Sequence, residues 1–253
     1  MAAAADLIDQ LGRRAPGTGI LRMARGPGMV GAIEIDEEPV VSDTFVVAAR
    51  IPMEREAFEQ WLETPAPGPE AIENHGAMYD RWFWDGKAPD WRQAEEGITP
   101  REYFADCFGE DAGGLTYVLR YRAGALEAYL MHFGFCESNV YTALVMLAAA
   151  GRLSSEVAPS TVLFWAETSG AMFAADSGGW LATLLVGADG ARFAADIDLT
   201  ATIAQLRTAE ASYFDLLVRL AEVEESVGAD GESSFAAIAR DPRYVDAAVL
   251  AES

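Results

Sequence analysis

The most regular pattern of hydrophobic and polar positions in the chain begins at Leu115. Apolar side chains occupy every second position there, while Arg120 and Arg122 fall on the opposite face, which is typical of a β-strand. Ala123-Gly124 then indicates a tight turn, and the almost wholly apolar residues 126–135 indicate a returning strand. The pattern therefore predicts a β-hairpin.

An apolar stripe predicts a helix directly after this hairpin. Val140, Leu144 and Leu147 recur at helical spacing. We expect Ser138 to cap the helix by accepting a hydrogen bond from an exposed backbone N–H. We expect Gly151 to end the helix in the left-handed conformation that glycine adopts easily.

Shorter patterns of both kinds flank this segment. Strand-like alternation covers residues 33–36, 44–51, 160–167, 171–176 and 180–186, and Asp189-Gly190 indicates a turn into a further strand. Helical spacing covers residues 2–14, 53–63, 100–108 and 200–226, with a short helix in the C-terminal tail.

Three of these helices have recognisable start signals. Pro52 is expected at the start of the helix at 53–63, because its fixed φ suits a first turn. Thr99 and Glu102 form the pattern of a capping box. Asp198 or Thr200 is expected to cap the long helix.

The order of the elements indicates the fold class. Strands and helices are mixed without βαβ regularity, which favours an α+β fold over a doubly wound sheet. We expect a mostly antiparallel sheet of hairpins and a meander, packed by several helices that include the long one near 200–226. The Pro-rich loop at 64–69 is the best internal break. Since each flanking part has few strands of its own, we predict that residues 1–253 form a single domain.

An excess of acidic residues is the most unusual bulk property. Forty Asp and Glu residues against eighteen Lys and Arg residues give a net charge of −22, and only Lys87 is a lysine. This charge argues against direct nucleic-acid binding, which needs a basic face to displace counterions. Two interpretations stay open: a surface that only keeps the protein in solution, or a field that steers a basic partner toward it.

Several features favour folding in the cytoplasm. The first residues, MAAAADLIDQLGRR, lack the charged and apolar regions of a secretory signal, and no apolar run reaches the roughly 18 residues of a membrane-spanning helix. Cys107 and Cys136 fit a reducing compartment, although a disulfide between them is also compatible with the sequence. No motif predicts a cofactor.

Candidate catalytic residues are few and poorly spaced. On a continuous strand, the Cα atoms of His132 and Cys136 would be about 13 Å apart, too far for a thiolate–imidazole pair. Asp176-Ser177-Gly178-Gly179 resembles, over four residues, the nucleophile loop of chymotrypsin-like serine proteases, but Ala175 replaces the preceding glycine of that family. Neither His75 nor His132 lies in the histidine motif of that family. We interpret these residues as core side chains and a hairpin turn.

Metal and phosphate motifs are weaker still. The sequence has no HExxH, no paired CxxC, no EF-hand spacing and no glycine-rich loop followed by a P-loop lysine. Glu34 with Asp36, and Asp196 with Asp198, each place two carboxylates on one strand face. Solvated strand faces explain these pairs better than a divalent cation does, because a cation needs further oxygen ligands.

The stretch at 79–91 interleaves aromatic and acidic side chains. The residues there that we predict to contact a partner are Asp80, Trp82, Trp84, Asp85, Asp90 and Trp91. Tryptophans dominate binding hot spots, and aspartates suit a partner with Arg or Lys around an apolar pocket. The alternative is that the tryptophans pack as a lid over the protein's own sheet. Glu37 and Glu38 extend the predicted acidic surface.

These observations favour a binding protein over an enzyme. We predict an acidic cytoplasmic inhibitor of the antitoxin or immunity type, which neutralises a basic protein toxin or enzyme by covering its active site. The first alternative is a hydrolase that uses Cys136 or Ser177 with His132. The second is a chaperone or structural subunit with a solubilising acidic surface. The expected partner is a basic protein, with no nucleic acid and no membrane.

Overall fold

The computed structural model describes residues 44–80, 88–106, 117–131, 137–167, 181–194, 197–226 and 237–251. Within them, one antiparallel sheet contains β1 (Thr44–Pro52), β2 (Tyr117–Tyr121), β3 (Ala125–Met131), β4 (Ser160–Glu167), β5 (Leu181–Gly187) and β6 (Gly190–Phe193). The α-helices with described bounds are α1 (Arg55–Leu62), α2 (Pro100–Asp106), α3 (Glu137–Gly151), α4 (Leu199–Ser226) and α5 (Ala247–Leu250). The predicted α+β class, with its antiparallel sheet and its long helix, is confirmed.

The strand order puts the first described strand in the middle of the sheet. The order is β2-β3-β1-β4-β5-β6, so β1 pairs with β3 on one side and with β4 on the other. All residues from Val46 to Ala49 are buried, on both faces of the strand. The central position explains why β1 carries a nearly continuous apolar run. The predicted elements at 2–14, 33–36 and 171–176 lie outside the described residues.

Helices cover both faces of the sheet. On one face, the ring of Tyr129 in β3 packs against Tyr213 of α4, with the ring centroids 5.1 Å apart. On the other face, α3 packs against β1 and β5, and Gly151 lies directly against Val186. The hydrophobic core therefore has a layer on each side of the sheet.

Most of the local start and turn signals are confirmed. Ala123 and Gly124 have φ values of 50° and 69° between β2 and β3, as a two-residue hairpin turn requires. Thr99 Oγ1 accepts from the Glu102 N–H at 3.2 Å while the Glu102 carboxylate accepts from the Thr99 N–H at 2.9 Å, which completes the capping box. Asp198, and not Thr200, caps α4, because its Oδ1 accepts two backbone N–H groups of the first turn at 3.0 and 3.2 Å.

Two other predicted helix starts are wrong by a few residues. Pro52 is the last residue of β1, opposite Ala125 of β3, and α1 begins only at Arg55. Pro52 has no N–H to donate to the sheet. It still fits in β1 because it occupies the end of the strand. Ser138 is a helical residue that follows Glu137 within α3, and its carbonyl accepts from the Thr142 hydroxyl at 2.9 Å.

Gly151 is needed for close packing and not for a left-handed turn. It is the last residue of α3, and it is not among the described glycines with positive φ, which are Gly97, Gly124 and Gly190. A Cβ atom at this position would lie 2.6 Å from Val186 Cβ and 2.8 Å from the backbone nitrogen of Gly187. Only glycine lets the end of α3 approach β5 this closely.

Replacing Gly151 by alanine should lower the free energy of unfolding by about 1–3 kcal/mol, because the added methyl forces α3 away from β5. Urea denaturation followed by tryptophan fluorescence measures this loss. Gly76→Ala is the matched control, since a Cβ there meets nothing within 4 Å and should change stability by no more than about 0.5 kcal/mol. Equal effects of the two substitutions would contradict the packing role of Gly151.

A buried ion pair lies between the sheet and α4. Arg120 of β2 donates from Nε and Nη2 to Glu127 Oε2 of β3 at 3.0 and 2.8 Å, and both side chains are buried. Arg120 also donates to the Ser212 hydroxyl of α4 at 3.0 Å and to the Arg243 carbonyl. The sequence placed Arg120 on the polar face of the hairpin, but α4 and the C-terminal segment cover that face.

The β2 edge of the sheet is covered by the C-terminal segment. Leu119 donates to the Tyr244 carbonyl and accepts from the Asp246 N–H, both at 2.9 Å. The Asp246 carboxylate then receives both terminal nitrogens of Arg55 at 2.6 and 2.9 Å. Burial by itself raises the pKa of Asp246, but the hydrogen bonds and the charge of Arg55 outweigh burial and lower the pKa below its usual value.

The β6 edge is covered by residues 72–74. Glu73 donates its N–H to the Ala191 carbonyl at 2.9 Å. The Asn74 side chain then acts like a strand residue: its Nδ2 donates to the Phe193 carbonyl at 3.0 Å, and its Oδ1 accepts from the Phe193 N–H at 2.7 Å. Both outer strands of the described sheet therefore have their edges at least partly satisfied.

Candidate functional site

Residues 65–79 and 88–96 pack beside α3 and β6 as a largely irregular layer. Its local structure consists of short 3₁₀ turns at Pro69–Ala71, His75–Tyr79 and Trp91–Gln93. The Pro-rich loop is hydrogen-bonded inside this layer, since the N–H of Ala66 donates to the Ile98 carbonyl at 2.8 Å. Buried residues before and after the loop, such as Trp61 and Trp91, belong to one hydrophobic core.

Trp91 fixes the second half of this layer. Only 5% of its surface is exposed, and its ring centroid lies 4.8 Å from that of Tyr141 and 6.3 Å from that of Phe193. Its Nε1–H donates to the His75 carbonyl at 2.9 Å. The tryptophan therefore ties residues 75 and 91 to α3 and to β6 at the same time.

A hydrogen-bonded tyrosine pair fixes the same region from α3. The hydroxyl of Tyr141 donates to Glu137 Oε2 at 3.2 Å, accepts from the Asp90 N–H at 3.2 Å and lies 3.0 Å from the Tyr79 hydroxyl. Burial raises the pKa of Tyr79 and of Tyr141 above the usual value. Both phenols are therefore protonated at neutral pH, and they serve as neutral hydrogen-bonding groups.

A cleft with a volume of about 530 Å³ opens between residues 68–76 and 88–96. Part of its lining is apolar, from Pro69, Ala88 and Pro89, and the buried Trp91 also contributes to the lining. We refer to this space as the 68–96 cleft.

The polar part of the 68–96 cleft carries charges of both signs and the ring of His75. Asp90 and Glu96 line it together with Arg92, and the hydrogen bonds from Arg92 lower the pKa of Asp90 below its usual value. Asp90 is therefore ionised at neutral pH. The nearby exposed carboxylates in the same layer are those of Glu70, Glu73, Asp80 and Glu95.

The structure separates the predicted partner-binding residues into three groups. Asp80 is exposed at the end of a 3₁₀ turn, and Asp90 is partly exposed in the cleft. Trp91 lies in the protein's own core, because α3 and β6 cover its ring. This position agrees with the alternative in which the tryptophans pack over the protein's own sheet. Outside the described residues lie Trp82, Trp84, Asp85, Glu37 and Glu38, and their role stays a prediction.

The residues of the alternative enzyme hypothesis, His132, Cys136 and Ser177, also lie outside the described part of the chain. His75 is described, and its Nδ1 lies 3.3 Å from the Ile72 carbonyl. Among the described residues there is no group of three or more potential metal ligands. The sequence offered Asp196 and Asp198 as a possible cation pair. In the structure, the Asp198 side chain caps α4.

Arg92, Glu96 and Pro69 line the cleft without being among the predicted partner contacts. Arg92 follows Asp90 at a spacing of two residues, and this Asp-x-Arg pattern was a visible signal for a local ion pair. Pro69 carried no signal beyond that of a loop, because its approach to residues 88–90 depends on tertiary packing.

Comparison with family models, with curated proteins and with solved structures gave no match for this chain. In the described part of the chain, no helix combines the length and the apolar character that crossing a membrane requires.

Proposed function

We propose that this chain is an acidic cytoplasmic inhibitor of the antitoxin or immunity type. It binds a basic protein, a toxin or an enzyme, and covers the active site of that partner. The proposal depends on one observation. Most described arginines are paired with carboxylates of the same chain, while several exposed carboxylates have no cationic partner among the described residues.

Most described arginines form ion pairs with acidic residues of the same chain. Ion pairs with Asp or Glu involve Arg55, Arg92, Arg101, Arg120, Arg207, Arg219 and Arg243. In contrast, Glu70, Glu73, Asp80, Glu95 and Glu96 are exposed and make no ion pair with the rest of the described chain. These five carboxylates are therefore not neutralised within the described part of a chain whose net charge is −22, and they attract a basic partner over a distance of about a Debye length.

The partial cover on both outer strands of the described sheet favours binding through side chains. Adding a strand to a free edge is a common way to bind an extended peptide. Here residues 244–246 cover β2 and residues 72–74 cover β6. A charged surface with a cleft is the remaining candidate contact in the described part of the chain.

We expect the full chain, used as bait in a lysate of its native host, to recover a basic protein in a stoichiometric complex. The association rate of the purified pair should fall by about 10- to 1,000-fold as salt screens the field, because steering by opposite charges depends on ionic strength. Stopped-flow fluorescence at increasing NaCl concentration measures this dependence, and an activity assay of the partner measures inhibition.

Two triple variants with equal charge change separate a local surface from a diffuse field. Glu70→Gln/Glu73→Gln/Glu95→Gln removes carboxylates beside the cleft. Glu56→Gln/Glu156→Gln/Glu222→Gln removes the same charge from other exposed sites. We expect the first triple variant to slow association more than the second. Recovery of no basic protein, or an association rate that salt does not change, would contradict the proposal.

A further inference from the structure

We propose that the 68–96 cleft binds an arginine side chain of the basic partner, with the carboxylate of Asp90 as the group that receives the guanidinium. This inference rests on the proposed function, and it adds the place and the chemistry of the contact.

Asp90 already holds a guanidinium in the free protein. Arg92 donates from Nε to Oδ1 at 2.7 Å and from Nη2 to Oδ2 at 3.0 Å, so both carboxylate oxygens are used. This two-point contact is the geometry in which a carboxylate recognises arginine. The Arg92 side chain is 90% exposed, and an exposed pair of this kind is weak. Opening this pair therefore costs little free energy, which leaves the Asp90 carboxylate available to an arginine of the partner.

The shape of the cleft suits the rest of an arginine side chain. Its apolar stem can lie along Pro69 and Pro89, which both line the cleft. Glu96 lines the same cleft and provides a second negative charge. The exposed Glu70, Glu73 and Glu95 extend this charge to neighbouring basic residues of the partner.

Asp90 is held in place before a partner arrives. Its backbone N–H donates to the Tyr141 hydroxyl at 3.2 Å, and the next residue, Trp91, is locked against α3. Because the carboxylate starts from a fixed backbone, binding an arginine orders few additional groups. Lysine fits this site less well, since its ammonium is a point charge and cannot make the two-point contact.

The test uses the full chain and two labelled peptides, octa-arginine and octa-lysine, with fluorescence anisotropy at a fixed salt concentration. Asp90→Asn should weaken octa-arginine binding by about tenfold, the scale of one lost charge-assisted hydrogen bond. Arg92→Ala should strengthen octa-arginine binding by about two- to fivefold, because the internal competitor is removed. Octa-lysine should bind more weakly to the wild-type chain and respond less to both substitutions.

Controls with equal charge changes lie beyond the C-terminal end of α3, where Glu156 and Arg152 are exposed. Tyr141, which contacts Asp90, lies near the N-terminal end of α3. At a rise of 1.5 Å per residue, it is about 16 Å along the helix axis from Arg152. If the cleft is the site, Glu156→Gln should change octa-arginine affinity less than Asp90→Asn does. Arg152→Ala should likewise change it less than Arg92→Ala does. Circular dichroism of each variant shows whether the fold is intact.

Equal effects at both positions, or equal responses of the two peptides, would overturn the cleft assignment. A basic partner could still be recovered in that case, and the proposed function would stand. If the peptides behave as expected but the lysate yields no basic protein, the cleft assignment stands and the inhibitor proposal fails.

Discussion

Replacing Glu127 by leucine should lower the free energy of unfolding by about 3–5 kcal/mol, because it leaves the Arg120 guanidinium buried without its carboxylate. Arg120 and Glu127 have side chains that are only 6% and 4% exposed, so water cannot replace the lost partner. Urea denaturation measures the effect. Hydrogen exchange should also become faster at residues 243–246, because Arg120 donates to the Arg243 carbonyl.

The double variant Arg120→Met/Glu127→Leu should recover most of this loss, since two apolar side chains of similar volume need no hydrogen-bond partner. Glu59→Gln is the control for an exposed pair. Its carboxylate contacts Arg55 at 2.8 Å with half of the side chain exposed, and we expect a change below about 1 kcal/mol. A Glu127→Leu effect as small as that of Glu59→Gln would show that the buried pair does not hold the fold together.

The second large effect is expected at Trp91. Trp91→Ala should lower the free energy of unfolding by about 3–5 kcal/mol, since a large buried ring is removed. It should also weaken octa-arginine binding, because Asp90 loses the neighbour that fixes its backbone to α3. Urea denaturation and fluorescence anisotropy measure the two effects on the same protein.

Trp91→Phe separates the ring from its hydrogen bond. It keeps most of the packing against Tyr141 and loses the contact of Nε1 with the His75 carbonyl, so we expect a smaller loss, about 1–2 kcal/mol. A Trp91→Ala variant as stable as the wild-type chain would mean that the ring is not part of the core. That result would favour the original prediction of Trp91 as a partner contact.

The candidate site was only half visible in the sequence. The stretch at 79–91 contains Asp90, the residue on which the proposed cleft assignment depends, and its role in binding stays a prediction. The sequence treated Trp91 and Asp90 as equivalent contacts, but the tertiary structure gives them different roles. Trp91 packs inward because α3 and β6 provide apolar surface for its ring, and Asp90 faces the cleft because its charge needs solvent or a cation.

The sequence by itself determined the features that depend on near neighbours in the chain. These are the Ala123-Gly124 turn and the capping box of Thr99 with Glu102. Each is governed by backbone geometry or by contacts within four residues, so local residue types suffice to predict it.

The tertiary structure alone decided which of these local features meet. It placed β1 at the centre of the sheet, buried Arg120 beneath α4, brought Gly151 against Val186 and brought Pro69 and Pro89 to the same cleft. The physical reason is that these contacts join residues far apart in the chain. The free energy of such contacts depends on what covers each face, and hydrophobic periodicity shows that a face is covered without showing by which element.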